Sequence, residues 1–135
     1  MCSVFDHAQT ADRSVVSEAG PIRSSAAYAE ILLRRTELQA DLEAVRADYT
    51  DVNPKIIDLR FEIAALDKAL EKVYAVKPTE TGKLTVALGK MLVKRASLET
   101  EVARLLRNYT NENTEVKRAR RRVEIFDAAI KEILP

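Results

Sequence analysis

The chain has 135 residues, of which 47% are apolar, 32% charged and only 5% aromatic; this is a one-domain length with room for a modest core. Three Gly and four Pro are too few for a many-turned β sandwich or barrel, and heavy use of Ala, Leu, Glu, Lys and Arg predicts long helices instead. The 22 basic and 21 acidic residues leave a net charge of +1, which excludes a global pull toward nucleic acid or membrane.

One Cys and one His exclude an intrachain disulfide framework and a zinc site built on a His pair. No apolar run approaches the ~20 residues that span a bilayer. Residues 1–14 lack the basic start and continuous apolar stretch of a signal peptide.

In chain order, residues 1–23 read as an irregular tail. They are mixed in composition, with Ser14, Ser17 and a Gly20-Pro21 breaker, and can lie on the helices through Val4, Phe5, Val15 and Val16. Residues 24–135 read as a duplicated helical-hairpin domain with repeats at about 24–76 and 81–135. Leu32, Arg35, Leu38, Tyr49, Thr50, Asn53, Arg60, Asp67 and Ala69 recur sixty positions later, without a gap. Their copies are Leu92, Arg95, Leu98, Tyr109, Thr110, Asn113, Arg120, Asp127 and Ala129. Two such units indicate a repeated supersecondary element.

Apolar residues alternate at spacings of three and four. The first arm runs through Tyr28, Ile31, Leu38, Leu42 and Val45, and the second through Ile56, Leu59, Ile63, Leu66, Leu70 and Val73. That seam keeps one face of a helix on a partner helix with slight left-handed supercoiling. Helices are therefore expected near 24–48, 54–75, 81–108 and 114–133.

Pro54 cannot lie inside a helix without losing a hydrogen bond and clashing with the preceding turn, but it suits a first helical position with Asn53 as cap. Residues 49–53 should then reverse the chain, and 109–113 should do the same although Thr114 replaces the proline. Lys77-Pro78-Thr79-Glu80-Thr81-Gly82 joins the units, with Thr79 or Thr81 available to cap the third helix. Short connections favour antiparallel neighbours. The expected fold is all-α: two repeated antiparallel helical hairpins forming a four-helix bundle or coiled coil. A continuous rod through each Tyr-Thr segment is the alternative.

Ile57, Phe61 and Ala65 give the second helix an extra apolar stripe, whereas the fourth carries Lys117, Arg121 and Ile125 at those positions. A wider apolar arc means more neighbours. The second helix is thus expected to be the more enclosed, with Ile57 and Phe61 buried and Lys117 and Arg121 exposed.

Little in the chain carries chemistry. Glycine-rich phosphate loops, HExxH, CxxC and Gly-x-Ser-x-Gly are all missing, and the acids lie scattered along charged helices. A di-iron bundle needs a Glu-x-x-His element, which is lacking too. No catalytic residue, cofactor ligand or metal ligand is assigned.

Two features remain. Arg35 and Arg95 occupy seam positions where Leu or Ile would pack better, and a buried unpaired guanidinium is costly. If each hairpin turns near residues 51–52 and 111–112, Arg35 faces Asp67 and Arg95 faces Asp127 as structural ion pairs. Lys117, Arg118, Arg120, Arg121 and Arg122 form one basic run that can meet phosphate or an acidic partner. No aromatic interleaves with that run, and the bland reading is a solvated face paired with neighbouring acids.

The phrase Tyr49-Thr50-Asp51-Val52-Asn53-Pro54-Lys55-Ile56, followed by Leu59, Ile63 and Leu66, resembles the periplasmic coiled-coil part of bacterial polysaccharide chain-length determinant (polysaccharide co-polymerase) proteins. The second unit resembles a degenerate copy, with Tyr109-Thr110 and Val116 but Thr114 in place of Pro. The resemblance covers about residues 30–73 and 90–133. It implies an envelope-associated or periplasmic helical protein that oligomerises; the family's membrane-spanning helices have no counterpart here. The function expected is a non-enzymatic structural or protein-interaction module, acting on a second copy or another protein. The alternative is a binder of nucleic acid or another anionic surface through the fourth helix.

Overall fold

The computed structural model describes residues 20–135, and among these there are helices and turns but no strand. Four long helices follow one another: α1 (Ala26–Arg46), α2 (Pro54–Tyr74), α3 (Val86–Leu106) and α4 (Thr114–Ile133), with a 3₁₀ helix over Pro78–Lys83 before α3. The all-α class is as expected. The docking expected of Val4, Phe5, Val15 and Val16 lies outside the described residues.

Each helix starts where a side-chain oxygen takes a free amide of the first turn. Tyr28 N donates to Ser25 Oγ at 3.2 Å, and Lys55 N donates to Asn53 Oδ1 at 2.9 Å. Leu88 N donates to Thr85 Oγ1 at 3.2 Å and Glu115 N to Asn113 Oδ1 at 2.8 Å. The third helix departs from expectation: it begins at Val86, not near 81, and neither Thr79 nor Thr81 caps it. Residues 78–83 tighten into the 3₁₀ helix, which closes with Leu84 N donating to Thr81 O at 3.1 Å. Leu84 is buried there, and Thr85 is the next hydroxyl that can cap.

The two Tyr-Thr turns share one hydrogen-bond pattern. Tyr49 N donates to Val45 O and Asn53 N to Thr50 O; sixty residues on, Tyr109 N donates to Leu105 O and Asn113 N to Thr110 O. Neither first helix continues through its Tyr-Thr segment, so the continuous rod is not what forms. The second turn closes without a proline because the Asn cap, common to both, supplies what the helix start needs.

Contacts pair α1 with α2, α3 with α4, α1 with α3, and α2 with α3. Along the first pair the contacts run in opposite chain directions, Tyr28 lying on Tyr74 and Arg35 on Asp67. The central element is α3, which touches all three others. Its approach to α1 is close: Ala27 N donates to Leu84 O at 3.2 Å, and a Cβ added to Gly89 would sit 2.8 Å from Ala27 Cα. A residue with any side chain would push the helices apart there.

The core gathers Ile31, Leu38, Leu66, Val73, Leu88, Leu92 and Ile130. Ile22 joins it, because residues 20–23 form a helical turn with Ser24 N donating to Gly20 O at 2.9 Å. Ordered structure thus reaches into the segment expected to be irregular, since a proline is compatible with a first helical turn.

The expected contrast between the second and fourth helices holds: α2 buries Ile56, Glu62, Leu66, Ala69 and Val73, and α4 only Val116, Ala119 and Ile130. The stripe named for it is wrong. Phe61 is 42% exposed and Ile57 40% exposed, because the second neighbour of α2, the helix α3, lies on the side of Asp58 and Ala69. Lys117 and Arg121 are exposed. Among the described residues no buried side-chain nitrogen or oxygen lacks a hydrogen-bond partner.

Candidate interaction surface

The seam arginines meet the acids opposite them. Arg35 Nε donates to Asp67 Oδ1 at 2.6 Å, and Arg95 Nε donates to Asp127 Oδ1 in the second unit. Both pairs are half-buried. Arg95 also reaches Glu99 at 3.0 Å. Desolvation opposes its charge, but the hydrogen bond to Asp127 and the nearby Glu99 and Asp127 carboxylates outweigh it and hold the guanidinium above its usual range.

Four further contacts had weaker signals in the sequence. Arg34 donates to the buried Glu62 at 3.1 Å across α1 and α2. Arg107 donates to Asp58 at 2.7 Å, tying α3 to α2; hairpin register alone does not reveal a contact between units. Arg60 donates to Asp51 at 3.0 Å and Arg120 donates to Asn111 at 2.7 Å, one tether across each turn. The recurrence of Arg60 as Arg120 was the available clue.

The structure gathers the five basic residues on α4 and partners four of them locally. Lys117 pairs with Glu112 at 3.5 Å, Arg118 with Glu115 at 3.0 Å and Arg121 with Glu124 at 3.2 Å, while Arg120 holds Asn111. These exposed pairs are individually weak, but they place acids beside the cations and dilute the positive field. Arg122 stands apart. With Lys94, Leu98, Ile125 and Phe126 it lines a hollow of about 300 Å³ between α3 and α4.

On the other flank of α4 lies an open groove of about 440 Å³. Its floor is α3, through Val102, Ala103 and Leu106. Phe61 of α2 forms one wall and Val123 of α4 the other. The groove exists because α2 and α4 both pack on α3 and barely touch each other. Lys68, Glu99, Arg120 and Glu124 rim it. Apolar floor, aromatic wall and charged rim are the makings of a seat for an amphipathic helix.

Among the described residues no group of three or more His, Cys, Asp or Glu side chains could hold a metal ion. No described helix is long and apolar enough to cross a membrane. Comparison with protein families, with curated proteins and with solved structures finds no match to this chain.

Proposed function

We propose that this chain is a non-enzymatic helical module that presents its surfaces to protein partners, a second copy of itself or another chain. In this reading α1–α2 and α3–α4 are two antiparallel hairpins of coiled-coil character, stacked as a four-helix bundle with α3 shared between them. The groove walled by Phe61 and Val123 carries the reading: an exposed aromatic beside an apolar floor stays in water unless a partner covers it. The likeness of residues 49–56 to the co-polymerase coiled coils supports an envelope-associated setting for such a module. The basic face of α4 is a poorer candidate for the working surface, since its cations are largely matched by local acids.

The test is photo-crosslinking. With Phe61 replaced by benzoyl-phenylalanine, illumination of the cells that make the protein should yield a discrete adduct at the mass of a protein complex. Illumination that leaves only uncoupled chain would overturn the reading. Retention of the purified chain on heparin, lost as salt rises, would instead favour the anionic-surface alternative.

A further inference from the structure

The two units differ at one contact in a way that exposes a gap. In the first unit Arg34 of α1 meets Glu62 of α2, a buried carboxylate that holds it at 3.1 Å. The residues sixty positions on are Lys94 and Arg122. An ion pair has become two cations, and they flank a hollow rather than closing it. Neither makes an ion pair with a described residue. Beside them Ile125 is 52% exposed, with Leu98 and Phe126 completing the lining. What the second unit lacks at this spot is a carboxylate accompanied by an apolar side chain.

The chain itself carries that combination. On the outer face of α1, Leu33 is 58% exposed, and Glu37 and Asp41 follow it at successive turns, both exposed; Glu37 shares Arg34 at 3.3 Å, and Asp41 makes no ion pair with a described residue. Residues four apart share a helix face, so Leu33, Glu37 and Asp41 form an acidic stripe headed by an apolar knob. Its charge and chemistry complement the hollow.

We propose that a second copy of this chain seats the Leu33–Glu37–Asp41 stripe of its α1 on the hollow formed by Lys94, Leu98, Arg122, Ile125 and Phe126. Leu33 lies against Ile125, and the carboxylates occupy the place that Glu62 fills in the first unit. The contact rests on the reading of this protein as an interaction module and adds a partner and a pair of faces. The two faces are different patches of one molecule, so the joint is heterologous. It lies on the opposite flank of α4 from the groove.

The test uses the full chain and sedimentation across a concentration series. The unaltered chain should self-associate, more weakly at high salt. Arg122→Glu and Leu33→Glu should each weaken association at least tenfold, with helical circular dichroism unchanged because both sites are exposed. Arg122→Glu gives Lys94 the internal acid that Arg34 already has. Each variant alone lacks one half of the joint, so an equimolar mixture should form one-to-one dimers through the intact α1 of one and the intact hollow of the other.

A chain that stays monomeric at every concentration, an association indifferent to Arg122→Glu, or a mixture that fails to dimerise would each overturn the proposal. Loss of heparin binding without loss of self-association would overturn it in favour of an anionic polymer. None of these outcomes depends on the adduct at Phe61, so this joint can fail while the module reading stands.

Discussion

At the scale of single residues, the half-exposure of the seam ion pairs decides what they contribute. Arg35 and Asp67 lie 2.6 Å apart, but the carboxylate side chain is 46% exposed. A pair so placed is screened by water and salt, and its worth is that of a surface pair, about 0–1 kcal/mol. Asp67→Ala should therefore cost less than ~1 kcal/mol in denaturant unfolding, well below the ~3–5 kcal/mol of a broken buried pair. The role left for the pair is orientation: it matches one position along α1 to one along α2.

The Tyr28–Tyr74 contact makes a sharper residue-scale prediction. The rings meet edge to face at 5.8 Å and the hydroxyls lie 3.4 Å apart. The hydrogen bond between them lowers Tyr74 and raises Tyr28 relative to an ordinary tyrosine, and Arg23 helps to lower Tyr74. Tyr28→Phe should move the ionisation of Tyr74 upward, because its largest stabilising contact is lost. Following tyrosinate absorbance against pH checks this; an unmoved Tyr74 would mean that Arg23 alone sets it.

At the scale of elements, the Asn caps and not the proline make the turns. Asn53 and Asn113 accept the same amide in the same place although only the first is followed by Pro. Asn53→Ala and Asn113→Ala should each cost ~1 kcal/mol, and Pro54→Ala should cost less than Asn53→Ala, all by denaturant unfolding. The boundaries near Pro54 and Thr114 were legible from the sequence, since cap and proline act locally. The start of α3 was not. Thr79, Thr81 and Thr85 are equally good caps on paper, and burial of Leu84 against the other helices chooses among them. The stripe of Ile57 and Phe61 was misjudged for a related reason: periodicity shows that a helix has a second apolar face, not which side its next neighbour takes.

At the scale of the whole molecule, α3 is the hub and α4 the outlier. The helix α3 packs on α1, α2 and α4, whereas α4 leans chiefly on α3. Regions with fewer packed neighbours open at lower free energy. Amide hydrogen exchange should therefore be faster along the middle of α4 than along the middle of α3, measured on the same sample. The all-helical class could be read from composition and apolar spacing, and the Arg–Asp contacts from residues that recur sixty positions apart. The groove could not, because it arises from the contact of α2 with α3, and the Asp58–Arg107 pair across that contact has no counterpart sixty positions away.

The two turn tethers have one more consequence. Arg60 holds a carboxylate, Asp51, while its counterpart Arg120 holds a neutral amide, Asn111. Mobile ions weaken an exposed charge pair far more than a charge–dipole contact. Concentrated salt should thus quicken exchange more at the Asn53 amide than at the Asn113 amide, whose turn keeps the neutral tether beside the longer Lys117–Glu112 pair. Two loops of one hydrogen-bond pattern are unequal in what they sense: the tether of the first is a charge pair open to ionic strength, and that of the second is a charge on a neutral amide.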